Sequence, residues 1–234
     1  SHRVLDFKRP QYIKEILHCE KIKEYNSNII VDAIVSNKHN PNEKQRKLFC
    51  KTIPLLDPIH YLLNNYSFTK RRNPMLPSNY NFNTINKVND MNNMAYIDVF
   101  FSFLVSKITE SNKNPSFPIY YGSCNGLGNY KHDISEDIDE FENHEGFHKI
   151  NKIIDIEGFY SNDDSDSDKL SELESSESES SDSDDYIATL KNFPVIHLFI
   201  ETLEGTLEDI IQNELNLELL RSCLFQVTFA LIYL

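Results

Sequence analysis

The side chains best suited to chemistry are crowded between positions 132 and 148. His132, His144 and His148 lie there among Asp133, Glu136, Asp137, Asp139, Glu140, Glu142 and Glu145. On a helix, His144-x-x-x-His148 would set two imidazoles on one face, a spacing that suits zinc. Zinc needs further ligands, and the cysteines do not supply them. Cys19, Cys50, Cys124 and Cys223 are far apart and form no CxxC pair. No metal centre is therefore assigned, and a reducing compartment fits better than a disulfide framework. Self-contained catalytic signatures are absent from the sequence: there is no GxSxG, HExxH, Walker A or GxGxxG.

The elements that would position any site can be read from periodicity. Gln11–Tyr25, with Ile13, Ile16, Leu17 and Ile22, has the spacing of a surface helix. Asn28–Ser36 is β-branched and predicts a strand, and Lys47–Ile53 predicts its returning partner, with a polar hairpin loop between. Ile59–Tyr66 reads as a helical turn. Ser67–Asp90 reads as a long loop, and its Lys70-Arg71-Arg72 cluster as a solvated part of it. Asn92–Thr109 carries an apolar stripe of Ile97, Phe100, Phe101, Leu104, Val105 and Ile108, which predicts a helix capped by Asp90 or Asn92. Phe117–Ser123 predicts a strand and Asn125–Gly128 a turn. Tyr130–Tyr160 shows no clear period.

Ser161–Asp185 holds eleven acids and one Lys. Such a tract cannot bury enough apolar surface to offset its ordering entropy, so it is expected to be disordered. Its serines stand beside acids, as acid-directed kinases require. The tract contributes −10 of the net charge of −13, which leaves −3 for everything else. The overall negative charge argues against a nucleic-acid surface, which needs clustered Lys and Arg, and against an anionic membrane. Order returns at Tyr186. Val195–Glu201 reads as a buried strand, and Thr206-Leu-Glu-Asp as a capping box that opens a helix. A second helix follows, with Leu217, Leu220, Leu224, Val227, Leu231 and Leu234 on one face. No stop signal closes it, so more chain is expected after Leu234, and the Ser-His start suggests a missing piece before it.

The order of these elements resembles the small lobe, hinge and first large-lobe helices of a protein kinase. It resembles most the divergent serine/threonine-kinase-like proteins of large DNA viruses. The residues that carry the likeness are Lys51-Thr-Ile-Pro-Leu-Leu-Asp-Pro, Asn93-Met-Ala-Tyr-Ile-Asp-Val-Phe-Phe-Ser-Phe-Leu, Tyr120-Tyr-Gly-Ser and Glu204-Gly-Thr-Leu-Glu-Asp, spread over roughly residues 48–234.

The resemblance implies an α+β fold, a protein-kinase-like small lobe with hinge and first large-lobe helices, incomplete. Its parts would be an N-terminal helical segment (1–27), the small lobe (28–160), the acidic insert (161–185), and the last strand, hinge and first large-lobe helices (186–234). It implies ATP as cofactor, with Mg²⁺ held by residues after 234, and γ-phosphoryl transfer to protein Ser or Thr. Lys51 would contact the ATP phosphates and Asp98 would pair with it, where kinases normally use Glu. Phe49 would face the adenine, as a stacking partner or as a plug. Ile200 would be the gatekeeper, and the backbone of Glu201 and Leu203 would meet the adenine edge. An intracellular location follows, host cytoplasm or virion.

Departures from the kinase pattern leave rival readings open. No glycine precedes Lys51, so the usual glycine-rich phosphate cover is missing. Lys51 can also be read as a strand-end lysine that snorkels, and Asp98 as a surface or capping acid. The whole can be read as a pseudokinase scaffold. It can also be read as an interaction module whose acidic tract binds basic proteins.

Overall fold

The computed structural model describes residues 9–22, 27–39, 42–66, 86–138, 141, 144, 145, 147, 155–157, 186–205 and 217–233. The expectations for Lys70-Arg71-Arg72, His148, Ser161–Asp185 and the capping box at Thr206 lie outside these residues. The described residues form an α+β structure built on one antiparallel sheet.

The strands are β1 (Gln11–Lys21), β2 (Ile29–Asn37), β3 (Lys44–Pro54), β4 (Tyr120–Asp133), β5 (Asp155–Glu157) and β6 (Ile187–Glu201). The helices are α1 (Pro58–Leu62), α2 (Met94–Glu110) and α3 (Leu217–Ile232). The sheet order is β1-β2-β3-β6-β4, and β5 also pairs with β6. The sheet is curled, so its two ends approach each other. Arg9, just ahead of β1, lies 5.8 Å over the Tyr120 ring of β4. Ser27, just ahead of β2, accepts a 2.7 Å hydrogen bond from the Lys131 amide of β4. Gly122 has φ +152°, and a Cβ there would fall 2.6 Å from Arg9 Nη1. A side chain at 122 would therefore push the arginine out.

The concave face of the sheet buries Val31, Ala33, Val35, Leu48, Cys50, Tyr121 and Phe199. The other face receives α2 through Ala95 and Phe103, which pack on Ile196, Leu198 and Tyr120. A third cluster sits at the far end of β6, where Leu56, Leu62, Ile134, Phe141 and Phe147 surround Leu190, Phe193 and Val195.

Four expectations are corrected. The predicted surface helix at Gln11–Tyr25 is instead β1, an end strand of the sheet. Its register with β2 explains why the period misled. Ile13 faces Val35, Ile16 faces Ala33 and Cys19 faces Val31, with register shifts between Ile13 and Glu15 and between Ile16 and His18. Each bulge adds one residue, so positions on one face recur every three residues in β1 but every two in β2. A doubly bulged strand thus imitates helical spacing.

The predicted turn at Asn125–Gly128 is not formed. β4 runs through it, because each of these residues has a partner on β6. The cap of α2 is Asn93 rather than Asp90 or Asn92: its side chain accepts from the Ala95 amide at 3.0 Å. Asp90 instead closes the preceding turn by accepting from the Asn92 amide.

The apolar stripe of α2 is met only in part: Val105 and Leu104 face the core as expected, but three of its members do not. Ile97, Phe100 and Phe101 are 43–49% exposed, whereas Ala95, Phe103, Val105 and Ser106 are buried. Ser106 is polar, so the stripe could not show it, yet its hydroxyl accepts from the Tyr120 amide at 2.9 Å and fastens the helix to β4.

Leu48 is fully buried on the concave face, whereas Ile16 is 47% exposed. Leu48→Ala is expected to cost about 2–5 kcal/mol in chemical denaturation, and Ile16→Ala under about 1 kcal/mol. Equal losses would show that the concave cluster is not the core.

Candidate functional site

Strand β3 and helix α2 bring Lys51 and Asp98 together. Lys51 Nζ donates to Asp98 Oδ2 at 2.6 Å across a separation of 47 residues. The geometry follows from three local choices. β3 alternates Leu48 and Cys50 into the concave core and sends Phe49, Lys51 and Ile53 to the α2 face. Asn93 anchors the start of α2 to the end of β3, because its Nδ2 donates to the Leu55 carbonyl at 2.8 Å. Asp98 lies one turn further on, beside the buried face rather than on it. The helix contains no Gly or Pro and ends at Ser111, followed by Asn112 at φ 55°. That left-handed residue suits a helix C-terminus.

Both members of the pair remain partly wet, with 44% of the Lys51 side chain and 33% of the Asp98 side chain exposed. At that exposure the Coulomb gain is screened and partly offset by side-chain entropy. The pair therefore orients Lys51 more than it stabilises the fold. An ammonium has three donors, and Asp98 occupies one.

Beside Lys51 runs a row of directly opposed residues, Ile30, Phe49, Ile200 and Tyr120, from β2, β3, β6 and β4. Opposed residues in antiparallel pairs share a face. Ile30, Phe49 and Ile200 are half-buried, which leaves a strip of apolar surface open next to a cation. Sequence reading missed Ile30. The strand pattern of Asn28–Ser36 was visible, but the register that places Ile30 opposite Phe49 was not.

At the end of β6 the Glu201 amide donates to the Ile119 carbonyl at 2.9 Å, and Glu201 Oε2 accepts from the Ile119 amide at 3.3 Å. The Glu201 amide is thus committed to the sheet. Leu203, two residues on, is 64% exposed. Between them Thr202 has a buried hydroxyl with no hydrogen-bond partner among the described residues.

The histidines fall elsewhere. His132 is in β4, stacked on Tyr130 at 6.3 Å, and burial holds its pKa below the usual imidazole value. His144 lies in the turn between buried Phe141 and Phe147. Among the described residues no group of three or more His, Cys, Asp or Glu could hold a metal ion. His197 of β6 lies 3.2 Å from Thr52 Oγ1 and 3.8 Å from Cys50 Sγ through its Nδ1. Burial lowers its pKa and pushes the Cys50 thiol up to about 12. Cys50 is therefore a poor nucleophile and acts as a small core residue.

No described helix is long and apolar enough to cross a membrane. Comparison with known proteins finds no matching family model, curated protein or solved structure.

Two measurements test this geometry. A double-mutant cycle of Lys51→Met and Asp98→Asn is expected to give a coupling below about 1 kcal/mol. A coupling of several kcal/mol would mean that the pair is a structural element. The second measurement concerns pH. His132 and His197 have folded pKa values below the unfolded 6.5, so the unfolded chain binds more protons below that point. Stability contributed by the neutral rings is full above pH 6.5 and declines as pH falls through 6.5 toward the folded values. Urea midpoints of His197→Gln are expected to fall less between pH 7 and 5 than those of the parent. An unchanged slope would remove His197 from this account.

Proposed function

We propose that this chain forms the small lobe, hinge and first large-lobe helices of a protein-kinase-like phosphotransferase, which binds ATP and serves γ-phosphoryl transfer to protein Ser or Thr. The observation that carries the reading is the Lys51–Asp98 ion pair between β3 and α2. Phosphoryl transfer relies on positioning and charge neutralisation more than on covalent chemistry by the protein. An ammonium on a rigid strand, aimed by a carboxylate from the helix behind it, supplies both. The two donors of Lys51 not occupied by Asp98 are suited to phosphate oxygens.

The Ile30–Phe49–Ile200 strip beside it offers an apolar bed to a planar base. In this reading Ile200 is the gatekeeper, and Glu201 and Leu203 form the hinge edge. With the Glu201 amide already bonded to Ile119, that amide is not the donor that meets the base. Mg²⁺ is not assigned to any residue described here.

Two observations favour the second reading, a pseudokinase scaffold. The β1–β2 connection, Ile22–Asn28, contains no glycine, so side chains oppose close backbone approach to phosphate. Phe49 also places a large ring where the base would lie. The acidic tract, with its expected basic protein partners, lies outside the described residues and adds nothing to either reading.

Thermal unfolding with and without Mg·ATP distinguishes the two. The nucleotide-binding reading expects a concentration-dependent rise in melting temperature. The rise should disappear in Lys51→Ala and weaken in Asp98→Ala, while both variants keep the parent's far-ultraviolet dichroism. No shift in the parent, or an equal shift in Lys51→Ala, would remove ATP binding at this site and leave the scaffold.

A further inference from the structure

A second concavity opens on the opposite face of the sheet, at the mouth of the curl. Its walls are Gln11 of β1, Asn37 of β2, Asn42 of the hairpin loop and Lys44 and Arg46 of β3, and Val35 forms the floor. The register shows why these side chains converge. Gln11 faces Asn37, Lys44 faces Val35 and Arg46 faces Ala33. Val35 and Ala33 are buried in the concave core, so their opposed neighbours stand on the same side. Arg46 also acts on Tyr121 within that core: its charge opposes the rise that burial imposes on the phenol, while Glu201 and Glu110 reinforce that rise.

The lining is one-sided in charge. Two cations and three carboxamides face the space, and no carboxylate among the described residues lines it. Glu43, the acid next in sequence, forms its ion pair with Lys14 of β1. Neither Lys44 nor Arg46 has an ion pair among the described residues. Asn37 Oδ1 already accepts from the His39 amide at 2.9 Å, which turns its NH₂ group into the donor on offer. The two cations thus stand together without a neutralising acid among the described lining residues.

Its size decides the class of ligand. At about 220 Å³ it is below the roughly 300–1,000 Å³ of pockets that take drug-sized molecules. It is open to solvent on one side, with room for a tetrahedral oxyanion against its walls but not for a whole nucleotide. Arg presents a planar fork to such oxygens, and Lys adds a point charge.

We propose that the mouth of the curled sheet is a binding site for phosphate, as the free ion or as the head of a small phosphate monoester, held by Arg46, Lys44 and the amides of Gln11, Asn37 and Asn42. This site is independent of Lys51, which lies on the α2 face.

The probe is inorganic phosphate, titrated into the full chain by calorimetry at constant ionic strength, with melting temperature as a second readout. The expected result is saturable binding to one site and a rise in melting temperature. Arg46→Gln should weaken binding at least about tenfold, in line with the loss of a charge-assisted contact. Lys44→Gln should weaken it less, and Lys51→Ala should leave it unchanged. Both hairpin positions are exposed, so these variants are expected to fold. Neither heat nor melting shift in the parent would overturn the proposal. So would unaltered binding in both Arg46→Gln and Lys44→Gln, or acetate binding as tightly as phosphate.

Discussion

The pairing of β6 is the constraint on which the rest of the structure depends. One edge of this strand carries β4 along most of its length, and the other carries β3 and then β5. Its side chains enter all the core clusters: Phe199 on the concave side, Ile196 and Leu198 under α2, and Val195 and Leu190 at the far end. Buried on both faces, it reads as a nearly continuous apolar run. Two residues of the candidate site are referenced directly to it: Lys51 faces Leu198 and Phe49 faces Ile200. A shift of β6 by one residue would turn Leu198 and Ile200 to the opposite face, and the bed beside Lys51 would go with them.

How α2 is held explains why a half-exposed ion pair can still have a defined geometry. Asn93 bonds the Leu55 carbonyl at one end and Ser106 bonds the Tyr120 amide near the other. Between them Phe103 meets the Tyr120 ring edge-on at 5.8 Å. Asp98 lies within this span, so the helix delivers its carboxylate with little freedom. The positional work is done by neutral contacts, and the charges need not supply it.

Much of this was legible in the sequence, and the failures have physical causes. β2, β3, the last strand and α2 announce themselves by β-branched runs and by apolar periodicity. The pattern placed Lys51 on a strand and Asp98 in the α2 helix, and the kinase resemblance suggested that they meet. Pairing is where sequence reading stops. It cannot give the register that sets Ile30, Phe49 and Ile200 in one row, nor the partners that keep Asn125–Gly128 extended. Those glycines and asparagines favour a turn locally, and the β6 ladder overrides them. The burial of α2 was misjudged because Ser106 faces the sheet through a hydrogen bond, which a hydrophobic count does not register. The recess between β1, β2 and β3 was hidden because its members come from three strands and the loop between two of them, and only the register brings them together.

The two bulges of β1 have a consequence for life at high protein concentration. β1 is an eleven-residue strand at the end of the sheet order, with Ile16 and Leu17 about half exposed. A flat edge of that length would be a template for a strand of another molecule. An interrupted ladder cannot offer such a strand an unbroken row of donors and acceptors. Lys14, Glu15, Glu20 and Lys21 add charge along the same stretch. The irregularity that disguised β1 as a helix thus also blunts an exposed edge against pairing with a second molecule.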